Sequence, residues 1–434
     1  NGETVLSGRL DALDIAPGES GEYALGYDCG AMPEDGEYYL NIGFRLKSAE
    51  PWAEAGYEMA RAQLAIRRSA SRREIETPPS GRLESGECDG VLTLSGEDFA
   101  AAFSMRTGLA ESLSYRGKRI FDRSCSETHG PELNVFRAYT DNDRHSPSCL
   151  DRENGWMRLK LNEKESVLGQ VRVLRNQKDS VTFAVHIRHS FGGDSGVNQY
   201  TAYTVFPNGR IFMKNRLQPF GKIATLPRLG FLFSCGESLE NVSWFGRGPH
   251  ESYPDRKASA DVGLYAGTVT GQAVNYAFPQ EMGSKEDTRW VTLTDGSGEG
   301  LLVCADADFC FSALHYTPDD LYGGKHGGLL IPRKETLLSL DCAQNGLGNS
   351  SCGGDTLEKY RLFPVERDFH LLFAPYSAQA DDPFGFTAVC GSAPDPADLF
   401  EIDPSVSIRG GRRSAAGAFD PSDPDARKKA GYLR

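Results

Sequence analysis

The chain has 434 residues, with 60 acidic side chains against 47 basic ones and a formal charge of −13. Hydrophobic residues make up 39% and aromatic residues 10%, enough for real cores, and the length sets a prior of roughly three domains. The acidic balance excludes a sequence-independent nucleic-acid binder, which needs a basic face to displace counterions, and argues equally against docking on an anionic membrane.

No apolar run approaches the ~18 residues that a transmembrane helix needs. Asn1 is not a Met and no basic-then-apolar leader follows it, so no signal peptide is visible; the chain is expected to start inside a longer gene product. The ten cysteines are spread singly with no Cys-x-x-Cys, which removes support for zinc ribbons and dithiol redox motifs. Reduced thiols in a cytoplasm are the expected reading.

In chain order, Glu50 to Leu64 is compatible by period alone with a helix. Ser69 to Ser85 is polar, charged and carries Pro78-Pro79, so it reads as a linker. Beyond it the apolar pattern has period two. Val181, Phe183, Val185 and Ile187 alternate with Thr182, Ala184, His186 and Arg188, the pattern of a half-buried strand. Val291 and Leu293, then Asp295-Gly-Ser-Gly-Glu-Gly300, then Leu301 and Val303 predict a hairpin. Further strands are predicted at 91–94, 210–217, 309–316, 336–342 and 369–374. The periodicity stops after Tyr376, and residues 377–434 read as a tail, mostly disordered. Many short strands with turn punctuation and almost no helical stripe make the chain an all-β sandwich protein.

Chemistry-bearing motifs are sparse. His186 and His189 would fall on opposite faces of a strand and cannot converge on a metal. The Gly-rich turn at 296–300 lacks the following helix of a phosphate loop, and no Gly-x-Ser-x-Gly elbow occurs. Glycoside hydrolysis with retention needs two carboxylates about 5–5.5 Å apart, which sequence spacing cannot reveal. Two clusters stand out: Phe136-Arg-Ala-Tyr-Thr-Asp-Asn-Asp-Arg144, and Trp244-Phe-Gly-Arg-Gly-Pro-His-Glu-Ser-Tyr-Pro-Asp-Arg256. Each is dense in residues that build tight, charge-braced loops, and each reads either as a polar-ligand site or as a structural loop.

Those clusters also carry a resemblance. Arg137-Ala-x-Thr-Asp-Asn-Asp-Arg144 resembles the Arg-Ala-Pro-x-Asp-Asn-Asp signature of the C-terminal domain, or small chain, of glycoside hydrolase family 2 β-galactosidases. Gly246-Arg-Gly-Pro-His-Glu-Ser-Tyr-Pro-Asp-Arg256 is similar to that domain's Gly-Arg-Gly-Pro-x-Glu-x-Tyr-x-Asp-Arg motif. Tyr276, Pro279-Gln-Glu281, Gly283, Asp287 and Arg289-Trp290 follow in the family's order, then Leu340-Asp341, Gln344 and the Gly-rich Gly346-Leu-Gly-Asn-Ser-Ser-Cys-Gly353. Gly8 to Pro17, Gly36 to Ile42 and Trp52 to Glu58 resemble the immunoglobulin-like domain that precedes the small chain.

The resemblance implies a partial immunoglobulin-like domain over 1–68 with a strand at 57–66, a linker over 69–84, a large galactose-mutarotase-like β-supersandwich over 85–376, and the tail. It implies that bond cleavage, the retaining hydrolysis of terminal β-D-galactosides such as lactose, belongs to a (β/α)₈ barrel domain or large subunit that this chain does not contain. The catalytic magnesium would sit in that barrel. No catalytic residue and no metal or cofactor is expected in this chain. Its expected contribution is the active-site rim, with Asp143, Arg144, Asn349, Ser351 and Cys352 as candidate contacts, together with assembly surface in an oligomeric cytoplasmic enzyme. Some members carry a Trp at the position of Cys352 that stacks on the sugar; Cys352 offers only a small apolar contact. Arg137, Asp141, Asn142, Arg247, Glu251, Tyr253, Asp255 and Arg256 are expected to be structural, with Arg247, Glu251, Asp255 and Arg256 in one braced network. Two rival readings are a non-enzymatic carbohydrate-binding module, and a stand-alone aldose mutarotase using His250 or His315 with Glu251 as acid and base.

Overall fold

Alternating side chains dictate the elements, and in the computed structural model they become three antiparallel sheets. It describes residues 2–10, 13, 15–28, 30, 32, 36–68, 81–125, 130–192, 194–348, 355–386, 394–396 and 399–400. β1 (Glu37–Arg45) and β2 (Glu58–Arg68) pair with Leu40 opposite Leu64 and Ile42 opposite Ala62. The stretch whose period was compatible with a helix therefore enters a strand from Glu58, because β1 supplies its ladder partner. One face of this hairpin docks on the rest of the chain: Gln63 exchanges bonds of 2.8 and 2.7 Å with the Val262 backbone. Arg289 reaches Glu37 and Tyr39, each at 2.7 Å.

A five-stranded meander follows: β3 (Glu84–Cys88), β4 (Val91–Ser95), β5 (Phe99–Ser104), β6 (Ala110–Tyr115) and β7 (Lys118–Asp122). The large sheet comprises β8 (Glu132–Asn134), β9 (Glu165–Asn176), β10 (Val181–Ser190), β11 (Gly196–Val205), β12 (Ile211–Phe220) and β13 (Arg228–Cys235). It continues with β14 (Asn241–Gly248), β15 (Asp261–Thr268), β16 (Lys285–Thr294), β17 (Glu299–Leu314), β18 (Thr336–Gln344) and β19 (Arg367–Ser377). Its main path runs β15-β14-β16-β17-β19-β12-β11-β10-β9, while β18 branches from β17 and carries β13 and β8. The predicted hairpin is β16–β17, with Leu293 opposite Leu301.

The main core lies between the meander and the large sheet. Phe103 of β5 meets Phe183 of β10 edge-on at 4.9 Å, and the Tyr115 hydroxyl donates to the Gly209 carbonyl at 3.0 Å. Such aromatic pairs add about 0.5–1.5 kcal/mol beyond the area they bury. β10 departs from the half-buried expectation: Thr182 and Ala184 are buried as fully as Val181 and Phe183, so both faces are covered.

The reverse face of the large sheet explains a second difference. β12, β16, β17 and β19 place Phe212, Trp290, Leu302 and Leu372 on it as a separate apolar cluster. Phe384 covers part of that cluster, with ring centres 5.3 Å from Phe245 and 5.4 Å from Trp290. Phe400 is buried as well, 5.7 Å from the Tyr200 ring. The segment expected to be a mostly disordered tail thus places two aromatics, Phe384 and Phe400, against the large sheet. Isolated aromatics on an irregular chain cap the sheet without producing any periodic signal. Residues 401–434 lie outside the described residues.

Candidate functional site

Two separated sequence motifs converge on the start of a third, the short stretch of backbone from Asn345 to Gly348. The first motif forms α1 (Asp141–Arg144), a single turn started by a reciprocal cap. The Thr140 hydroxyl accepts from Asp143 N at 3.2 Å, and the Asp143 carboxylate accepts from Thr140 N at 3.0 Å, so two backbone donors are satisfied at once. The same carboxylate takes Arg137 in a two-pronged pair, at 3.1 and 2.7 Å. Both side chains are buried, and the guanidinium also donates to Asn345 O at 2.6 Å and Gly346 O at 3.1 Å. Its rigid fork of donors lets one cation serve a carboxylate and two carbonyls together. Burial alone would lower the Arg137 pKa; the Asp143 charge and bonds outweigh it and hold it above the usual value.

Asn142 donates to both Leu347 O and Gly348 O at 3.1 Å. From the second motif, Asp255 accepts from Leu347 N at 3.0 Å and from Gly348 N at 2.7 Å. The contact is close enough that a Cβ on Gly346 would stand 2.8 Å from the Asp255 carboxyl carbon, and Gly348 has φ of +78°. Both carbonyls and both amides of Leu347 and Gly348 are therefore held by side chains. The stem of the Gly-rich loop is fixed although it belongs to no strand.

Asn349, Ser351 and Cys352, the rim candidates beyond that stem, lie outside the described residues. Of the other two, Asp143 turns inward: it is 3% exposed and both its oxygens are engaged, so it holds the stem and does not face a rim. Arg144 is half-buried, with its guanidinium carbon 4.9 Å from the Phe278 ring centre and 5.4 Å from that of Tyr322. Its Nε and Nη2 have no hydrogen-bond partner among the described residues. Asp141 is exposed, and its carbonyl meets His145 Nδ1 at 2.8 Å.

The residues expected to form a single braced network divide into three. Arg247 pairs with Asp287 at 2.5 Å and donates to Lys257 O and Ala260 O. Glu251 binds Arg256 at 2.9 Å, the Tyr276 hydroxyl, and Gly283 N at 2.8 Å. Asp255 leaves its own loop for the stem. Tyr253 is buried between these groups, with no partner for its hydroxyl. The turn that begins at Gly248-Pro249 points consecutive side chains in different directions, which the one-network expectation did not anticipate.

A buried ion group supports the stem from below and was given no role on sequence grounds. Arg228 pairs with Asp341 at 2.6 Å and with Glu281 at 3.4 Å, and Gln344 donates to Asp341 at 3.0 Å. Burial pushes the pKa values of Glu281 and Asp341 up, against the pull of the arginine. Lys285, over the Trp244 ring at 5.3 Å, is lowered to about 8 by burial. The only sequence signal for this group was the ordered recurrence of Glu281, Asp341 and Gln344 among the motif residues.

The acid–base pair of the mutarotase reading is not assembled. His250 bonds Ser259 and His315 bonds Glu240, while Glu251 serves Arg256 and Tyr276. His189 bonds Gln199 and Ser166, whereas His186 stacks on Tyr200 at 4.5 Å. Among the described residues, no group of three or more His, Cys, Asp or Glu side chains could hold a metal ion.

The family model described as "Beta galactosidase small chain" matches residues 95–373, and "Beta-galactosidase, domain 4" matches residues 1–67. A β-galactosidase of Priestia megaterium is 29% identical over 84% of this chain and 34% of its own length. One from Streptococcus thermophilus is 27% identical over 83% of this chain and 33% of its own. Among solved structures, a putative aldose 1-epimerase of Escherichia coli K12 overlaps 66% of this chain and 98% of its own at 12% identity, with a TM-score of 0.36. The chain thus spans about a third of the length of the curated relatives it matches. With two of its motifs gripping the stem of the third and the small-chain model covering residues 95–373, the chain belongs to the β-galactosidase small-chain family.

Proposed function

We propose that this chain is the C-terminal, non-cleaving portion of a retaining β-galactosidase. It presents the loop at 346–354 to the mouth of an active site whose two catalytic carboxylates and magnesium belong to a (β/α)₈ barrel partner. The carrying observation is the fixed stem: Arg137, Asn142 and Asp255, from two distant motifs, hold Asn345 to Gly348 through backbone groups alone. That arrangement fixes the point from which the loop departs. Arg144, whose Nε and Nη2 have no hydrogen-bond partner among the described residues, follows directly on the Asp143 that helps to hold the stem. Of the original candidates, Asn349 and Ser351 would offer hydrogen bonds to sugar hydroxyls and Cys352 a small apolar contact; Asp143 serves the stem instead.

Reconstitution tests the reading. The purified chain alone leaves lactose intact, and adding a barrel-containing partner restores hydrolysis. In that complex Cys352→Trp adds a stacking face worth about 0.5–1.5 kcal/mol and lowers KM for lactose. Hydrolysis by the chain alone would overturn the division of labour. An unchanged KM in a folded Cys352→Trp complex, with no effect of Asn349→Ala, would remove the loop from the rim.

A further inference from the structure

A cleft of about 600 Å³, away from the loop stem, is lined by residues of 81–84, 95–98, 207–210 and 375–386, together with Arg116. That volume falls within the roughly 300–1,000 Å³ typical of small-molecule pockets. Two glycines allow the segments to meet. A Cβ on Gly96 would stand 2.2 Å from the Pro207 carbonyl oxygen, and one on Gly81, at φ +136°, would stand 2.9 Å from Pro207 Cβ.

Arg210 is the informative side chain. Its guanidinium carbon lies 4.9 Å from the centre of the Phe386 ring, and among the described residues no hydrogen bond or ion pair holds it. Arg116 differs, being paired with Glu299 at 2.6 Å. Burial lowers the Arg210 pKa below its ordinary value against the pull of the Asp381 charge, so this cation is partly stripped of water and has no hydrogen-bonded partner among the described residues. Three arginines share the lining with four carboxylates, Asp98 and Asp381 among them. An anionic ligand would face those carboxylates, and a cation would face the arginines and leave Arg210 unsatisfied. Hydroxyl groups answer both, donating to carboxylates and accepting from guanidinium. Phe386, Pro207 and Pro375 add apolar surface suited to the C–H faces of a ring.

We propose that this cleft binds a neutral polyhydroxylated ligand, an oligosaccharide, at a site apart from the loop stem. Calorimetric titration of the whole chain with lactose, β-1,4-galactotriose and, as an anionic control, citrate tests it. Saturable binding of the galactotriose and none of citrate is expected. Arg210→Ala and Asp98→Ala each weaken binding about tenfold, the equivalent of one lost charge-assisted hydrogen bond, with the unfolding midpoint unchanged. Asn142→Ala, at the loop stem, leaves the cleft affinity as it was. The proposal is overturned by the absence of saturable binding of either sugar, by preferential binding of citrate, or by wild-type affinity in both cleft variants. Sugar binding lost in Asn142→Ala but kept in Arg210→Ala would place the ligand at the rim instead.

Discussion

Removing the Asp255 carboxylate tests the loop-stem reading most directly. Asp255→Ala deletes two bonds, to Leu347 N at 3.0 Å and to Gly348 N at 2.7 Å. A hydrogen bond to an ionised partner contributes about 1.5–3 kcal/mol net. The site is half-buried, so water replaces part of what is lost, and the expected cost is about 2–3 kcal/mol for the pair. For a domain of this size that corresponds to a fall of about 3–5 °C in Tm. Asp255→Asn keeps one acceptor and should lose about half as much. The loop beyond the stem loses its fixed origin, so in a complex with a catalytic barrel KM for lactose rises more than kcat falls. Thermal unfolding and steady-state kinetics on the same preparations separate the two effects. A wild-type Tm for Asp255→Ala, or a lowered Tm with unchanged KM, would sink the claim that these bonds position the loop.

Arg137→Ala leaves Asp143 buried without its counter-charge and should cost about 3–5 kcal/mol in urea unfolding. Arg137→Lys should not rescue it, because one ammonium cannot span the carboxylate and two carbonyls, and a lysine variant of wild-type stability would contradict the fork geometry. Gly346→Ala drives a methyl to 2.8 Å from the Asp255 carboxyl carbon and should destabilise by about 1–3 kcal/mol. The two effects should be strongly non-additive in a Gly346→Ala, Asp255→Ala double variant, and simple additivity would show that the clash lies elsewhere. Burial lowers the His189 pKa from 6.5 to about 3, so as pH falls the unfolded chain takes up the proton first. Stability from the neutral imidazole is complete above pH 6.5 and is lost on the way down towards 3, about 2 kcal/mol of it by pH 5. His189→Gln should flatten that slope between pH 7 and 5, and equal slopes in both proteins would reject the assignment.

Period-two alternation was sufficient to place β4, β10, the β16–β17 hairpin, β18 and β19, because side-chain direction in a strand is a local property of the backbone. The ordered motifs pointed to the family for the same kind of reason, since each is a run of neighbouring residues. Convergence was not legible. Asp255 meets Gly348 across 93 positions and Arg137 meets Gly346 across 209, and no spacing rule connects them. Asp143 read as a rim candidate because the family resemblance places the segment after it at the active-site mouth; only the fold turns it onto Arg137 and removes it from the surface. Tertiary packing likewise decided the fate of residues after Tyr376. Phe384 and Phe400 are isolated aromatics in an irregular stretch; Phe384 packs on the apolar cluster around Trp290 and Phe400 on Tyr200 and His186, all supplied by strands far away in the chain. Local chemistry determined which residues would be strands and which would be turns; which carboxylate met which amide was decided by the long-range strand pairing that brings them together.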